Sequence, residues 1–176
     1  MAVNQKNAIR VLTLGAMMTA LGVVCLYLSS MLPTMRLSLV ALAGLLPCVM
    51  VMAGGIPSGF AAYGATAVLA FLIVPNKSAA LLYLVVFGHY PMIKSLAERM
   101  GNRVLEWVIK LGTFNVALTI IVLFARAIFS EIFGEEWATW VIYLGGNAIF
   151  LLYDFAFSGL ILVFNSKFGK LLRKGR

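Results

Sequence analysis

Apolar residues run along this chain in long blocks, broken by short polar stretches. A helix needs about 20 consecutive, mostly apolar residues to cross a bilayer core. Six blocks reach or approach that length: residues 11–32, 37–53, 57–74, 79–93, 104–129 and 140–165. The second and fourth are short. Pro47 inside the second predicts a kink or a carbonyl without its helical donor. The fourth is expected to run on through Lys94 towards Met100, its lysine snorkelling to the interface. The breaks carry turn chemistry: Gly54-Gly55-Ile56-Pro57, Pro75-Asn76-Lys77-Ser78, and Gly134-Glu135-Glu136 flanked by Trp137 and Trp140 as interfacial anchors. Gly101-Asn102 interrupts the pattern once more. Around it Glu98, Arg99, Arg103, Glu106 and Lys110 recur at helical spacing, which predicts an elbow with helical ends. This elbow is either a solvated connector or a contact for a partner. The pattern as a whole predicts an all-α, polytopic membrane protein in which residues 1–176 form one domain of six helices.

Composition agrees. Of 176 residues 62% are hydrophobic and 11% charged, whereas a soluble domain is about a quarter charged. The net charge of +8 raises the question of nucleic acid, but the charges sit at the ends of apolar blocks and describe topology instead. With both termini cytoplasmic, eleven of the fourteen basic residues fall inside and only Arg36, Lys77 and Arg126 outside. Glu131, Glu135 and Glu136 cluster on the outer side. Cys25 and Cys48 lie within apolar blocks and read as small buried hydrophobes. Two separated cysteines and one histidine do not make a metal site. The first block is long and has no Ala-x-Ala site at its end, unlike a cleavable signal peptide.

Polar groups inside the blocks are the candidates for function. Asp154 lies near the middle of the sixth block, where a carboxylate costs a few kcal/mol and is normally turned inward. Trp140, Tyr143, Asn147, Phe150 and Asp154 are spaced three, four, three, four, and so share one helix face. Such a stripe suits a small polar-aromatic ligand; equally, it serves helix packing, with Asp154 bonded to Asn115 or Tyr83. The fourth block offers Tyr83, Phe87, Tyr90 and Lys94 on one face. His89 and Tyr90 precede Pro91, which leaves backbone carbonyls short of donors. A lone histidine there reads as a hydrogen-bonding residue. Asn115 lies near the middle of the fifth block. Arg126, near its outer end, is placed to pair with the glutamate cluster or to hold an anion.

Enzyme signatures are absent from the sequence. Glu135-Glu136 lacks the following arginine of membrane prenyl-proteases. There is no His-Glu-x-x-His, Gly-x-Ser-x-Gly or nucleotide-binding loop. No cofactor is implied, and an intramembrane enzyme would rest on Asp154 and His89 alone. Without a phosphate-binding loop this chain cannot itself hydrolyse ATP.

The first block contains Leu14-Gly-Ala-Met-Met-Thr-Ala-Leu-Gly22. Gly15 with Thr19, and Ala16 with Ala20, are four apart and let another helix approach closely. Six short spans in under 200 residues, with Ala16-x-x-x-Ala20 on the first, resemble the substrate-binding S component of energy-coupling factor transporters. The resemblance implies a cell-membrane protein that captures a small, vitamin-like micronutrient from outside. Gly15, Ala16, Thr19 and Ala20 would dock on a transmembrane coupling subunit, which works with an ATPase pair. The family's pocket lies under the first, third and fifth loops. Here that implies Arg36, Asn76, Lys77, Tyr83, Phe87, Asn115, Tyr143, Asn147 and Asp154. The rod-shape-determining membrane component of the cell-wall machinery is similar in length and span count. That resemblance implies a non-catalytic scaffold without a ligand.

Overall fold

The computed structural model describes the backbone of residues 2–129 and 139–173, with side chains for residues 8–123, 140–159 and 161–162. The helices are α1 (Ala2–Met31), α2 (Arg36–Gly54), α3 (Ile56–Ile73), α4 (Lys77–Leu82), α5 (Tyr90–Glu98), α6 (Arg103–Phe129) and α7 (Thr139–Arg173). A 3-10 turn, Pro33–Met35, leads into α2, and a π-helical turn, Tyr83–Phe87, joins α4 to α5. Six segments are long and apolar enough to cross a membrane, the fourth being the composite Lys77–Glu98. No strand occurs among the described residues. The chain is an all-helical, multi-pass membrane protein. The Gly134-Glu135-Glu136 link and Trp137 lie outside the described residues, as do the side chains of Arg126 and Glu131.

The breaks work as their residue types require. Gly55 adopts φ 83° between α2 and α3, a conformation that a side chain disfavours; its N–H closes α2 on the Val51 carbonyl at 2.9 Å. Gly101 does the same at the elbow, with φ 69°. Asn102 Oδ1 then accepts from the Val104 N–H at 3.0 Å and starts α6. Helix α2 continues unbroken through the buried Pro47.

Helices α1, α2 and α3 pack on one another at small residues. Gly15 faces Met50, Gly22 lies against Thr66, and Gly59 against Val51. At Gly44 the neighbour is main chain. A Cβ there would stand 2.8 Å from the Phe87 carbonyl oxygen, so α2 and the π turn meet almost backbone to backbone. The fourth span runs through the middle of the bundle. Half of it is buried, against 11% of the fifth span and 17% of the sixth, so α6 and α7 form a peripheral pair. The main core gathers Leu26, Val40, Ala43, Ala70, Val74 and Tyr83; a second cluster joins Tyr90, Phe150 and Phe157 where α7 meets α5.

Candidate functional site

The fourth span determines the site's geometry, and Pro91 is the reason. Proline has no N–H to give, and it disfavours regular helix just before it. The chain widens into the π turn, where the Gly88 N–H reaches back to the Tyr83 carbonyl at 2.7 Å. Leu84 thereby loses its helical donor. Its carbonyl is served from elsewhere: the Tyr63 hydroxyl donates to it at 2.8 Å, and His89 Nδ1 lies 3.4 Å away. His89 is thus tied to the backbone, as its isolation in the sequence suggested. Beyond the turn Pro91 sits in the first turn of α5, where its missing N–H costs nothing.

That restart aims Tyr90 and Lys94, one helical turn apart, at α7. There the Tyr90 hydroxyl donates to Asp154 Oδ1, and Lys94 Nζ reaches the same oxygen at 2.5 Å. Lys94 also donates to Ser158 Oγ at 2.8 Å and pairs with Glu98 at 3.0 Å. From α6, Lys110 stands 2.6 Å from Glu106 and 3.5 Å from both Glu98 and Asp154 Oδ2. Two lysines and three carboxylates thus interlock at the elbow end of the bundle. The residues Lys94, Lys110 and Asp154 are 1%, 2% and 5% exposed. Charges this deep are tolerated only when paired and hydrogen-bonded. This network is what holds α5, α6 and α7 in register.

Two expectations are corrected here. Lys94 does not snorkel to the interface; it turns inward because Asp154 needs a cation more than the lysine needs water. Nor is Asp154 bonded to Asn115 or Tyr83. Its carboxylate is served instead by Tyr90, Lys94 and Lys110, while Ser158 bonds the Asp154 backbone carbonyl. The available signal was local: Tyr90 with Lys94, Asp154 with Ser158 and Glu106 with Lys110 each lie four apart.

The other polar residues of α7 face α6. Asn147 and Asn115 exchange two side-chain hydrogen bonds, both 3.0 Å, and Tyr143 bonds Thr119 at 2.7 Å. Trp140, on the same stripe, is exposed. Tyr83 and Phe87 are buried in the core. The hydroxyls of Tyr83 and Tyr153 and Nε of Arg36 are buried without a hydrogen-bond partner among the described residues. Asn76 and Lys77 cap helices. Asn76 Oδ1 accepts from the Ser78 N–H at 3.0 Å, and Lys77 Nζ donates to the Phe71 and Val74 carbonyls at 2.5 and 3.0 Å. The structure therefore pairs Asn115 with Asn147, and places Arg36, Asn76 and Lys77 at the opposite end of the bundle from the Asp154 network.

Between the fourth span and the α6–α7 pair lies a cavity of 30 Å³, walled by Phe87, Tyr90, Phe114, Phe150 and Tyr153. Sites for small organic ligands measure some hundreds of cubic ångströms, so this one is closed to a vitamin-sized solute. On α1 the small residues divide. Gly15 and the buried Thr19 turn inward, so they do not belong to an outward docking face. Ala16 and Ala20 are exposed and lie on one line with the exposed Leu12 and Val24. Comparison with protein-family models, curated proteins and solved structures finds no match.

Proposed function

We propose that the chain is the membrane-embedded substrate-capture subunit of an energy-coupling factor type importer, taking up a small vitamin-like solute. The observation that carries this reading is the outer line of α1. Leu12, Ala16, Ala20 and Val24 make a shallow dip between two large side chains, on a helix whose opposite face is already filled by α2 and α3. In a membrane, packing at small residues drives helix association, so a coupling helix fits this dip closely. The ligand site on this reading is the aromatic-walled cavity, with Asn115, Tyr143 and Asn147 at the neighbouring α6–α7 seam. Closed at 30 Å³ here, the cavity would have to widen on this reading by a movement of that peripheral pair away from the fourth span. The partners are a transmembrane coupling subunit and an ATPase pair, since the chain has no nucleotide-binding loop.

The test is co-expression with such a coupling subunit and its ATPases. Ala20→Trp fills the dip and is expected to abolish copurification while the monomer melts as before. Full copurification of the variant removes the docking assignment. Native mass spectrometry of the unaltered protein is expected to show a retained small molecule.

A second reading has its own support. Asn115, Tyr143 and Asn147 satisfy one another or Thr119, and the cavity they adjoin is small. A membrane scaffold similar to the rod-shape component needs no more than that. It predicts copurification with cell-wall factors and no bound solute.

A further inference from the structure

A cleft of 270 Å³ opens at the elbow end, where α2, α5 and α7 meet. Val51, Met52 and Ile161 form an apolar wall, and Lys94, Glu98 and Arg99 form the polar edge. The valence of Lys94 gives this edge its meaning. An ammonium has three donors, and Lys94 uses them on Asp154, Ser158 and Glu98. The first two partners lie on α7; Asp154 is buried and Ser158 partly so. The third is a carboxylate one turn along α5 whose side chain is 46% exposed. Of the three partners Glu98 alone has water to move into, and its other contact, Lys110 at 3.5 Å, keeps Glu106 at 2.6 Å. Glu98 therefore occupies the one exchangeable donor of a lysine that is otherwise fixed. Arg99, exposed beside it, adds a guanidinium fork suited to phosphate.

We propose that this cleft binds the phosphate headgroup of an anionic phospholipid. The phosphate takes the third donor of Lys94 as Glu98 swings out to water, and Arg99 closes on it from the mouth. The acyl chains lie outward along Val51, Met52 and Ile161. Basic pockets between membrane helices near an interface recognise anionic headgroups in this way. The cleft sits at such a level, because the fourth membrane-spanning segment ends at Glu98. Free phosphate offers the same oxygens but has no use for the apolar wall, which favours the lipid. The assignment is independent of solute capture.

The experiment uses the full chain in detergent with equimolar phosphatidylglycerol and phosphatidylcholine, read by native mass spectrometry. Phosphatidylglycerol is expected to remain as a single adduct in preference to phosphatidylcholine. Arg99→Glu, at an exposed position, lowers that preference roughly tenfold, and Glu98→Gln raises it. Unchanged melting of Arg99→Glu, a residue outside the Asp154 network, shows that its loss of preference is not a loss of fold. Equal retention of the two lipids, or no effect of Arg99→Glu, overturns the proposal. Inorganic phosphate that displaces phosphatidylglycerol at equal concentration makes the cleft a phosphate site and overturns the lipid assignment.

Discussion

At the scale of single residues, the energetics concentrate on Asp154. A carboxylate at this depth is expensive alone, yet here it receives the Tyr90 hydroxyl and the Lys94 ammonium, with Lys110 close by. Breaking a buried charge pair by removing one partner leaves the other uncompensated, which costs about 3–5 kcal/mol. Asp154→Asn preserves shape and removes the charge that balances two lysines, so its melting temperature in detergent is expected to fall markedly. Replacing both partners with apolar groups of similar volume is often neutral. Asp154→Leu combined with Lys94→Met is therefore expected to melt higher than Asp154→Asn. If the double variant melts lower, the network contributes through more than this pair.

At the scale of elements, the α6–α7 seam and the α2 crossing carry distinct expectations. Interhelical hydrogen bonds in membranes contribute about 0.6 kcal/mol on average. Asn115→Ala and Asn147→Ala each remove the same reciprocal pair, so their destabilisations are expected to be small, equal and non-additive in the double variant. A solute held by Asn147 alone would instead show reduced retention only for that variant. At Gly44, where α2 touches the π turn, a methyl group has no space. Gly44→Ala is expected to cost about 1–3 kcal/mol in unfolding measurements, as overpacking does. The elements themselves were legible in the sequence. The second, third and fifth spans match the apolar blocks to within a residue or two, because hydropathy and the Gly, Pro and Asn breaks are local signals. The fourth span runs on past Lys94 to Glu98, as its pattern predicted, but it does so through a π turn that the pattern does not report. Pro91 announced a shortage of donors, but the remedy depends on Tyr63, a residue on another helix. The partners of Asp154 were hidden for the same reason: Lys94 lies 60 residues away in the chain, beyond what any periodicity reports. Along the α7 stripe Trp140 is exposed, Tyr143 and Asn147 meet α6, and Asp154 meets α5, because spacing alone does not tell a cavity from a neighbouring helix.

At the scale of the whole molecule, charge placement implies an orientation that the packing refines. In the sequence, eleven of the fourteen basic residues lie towards the two chain ends or between Lys94 and Lys110 around the elbow. Lys94 and Lys110 are consumed inside the bundle, and taking them out of the eleven leaves nine against three. The asymmetry survives, so the positive-inside rule still predicts a cytoplasmic elbow. Single cysteines test this. Met100 beside the elbow and Met35 before α2 are both exposed, at 53% and 60%, on opposite ends of the bundle. The native thiols, Cys25 buried and Cys48 half-buried, are first replaced with alanine. In intact cells a membrane-impermeant maleimide is expected to label Met35→Cys and to spare Met100→Cys until the membrane is opened. The reverse pattern would turn the molecule over. The aromatic cavity would then be loaded from the cytoplasm, and capture of a solute from outside would no longer describe this protein.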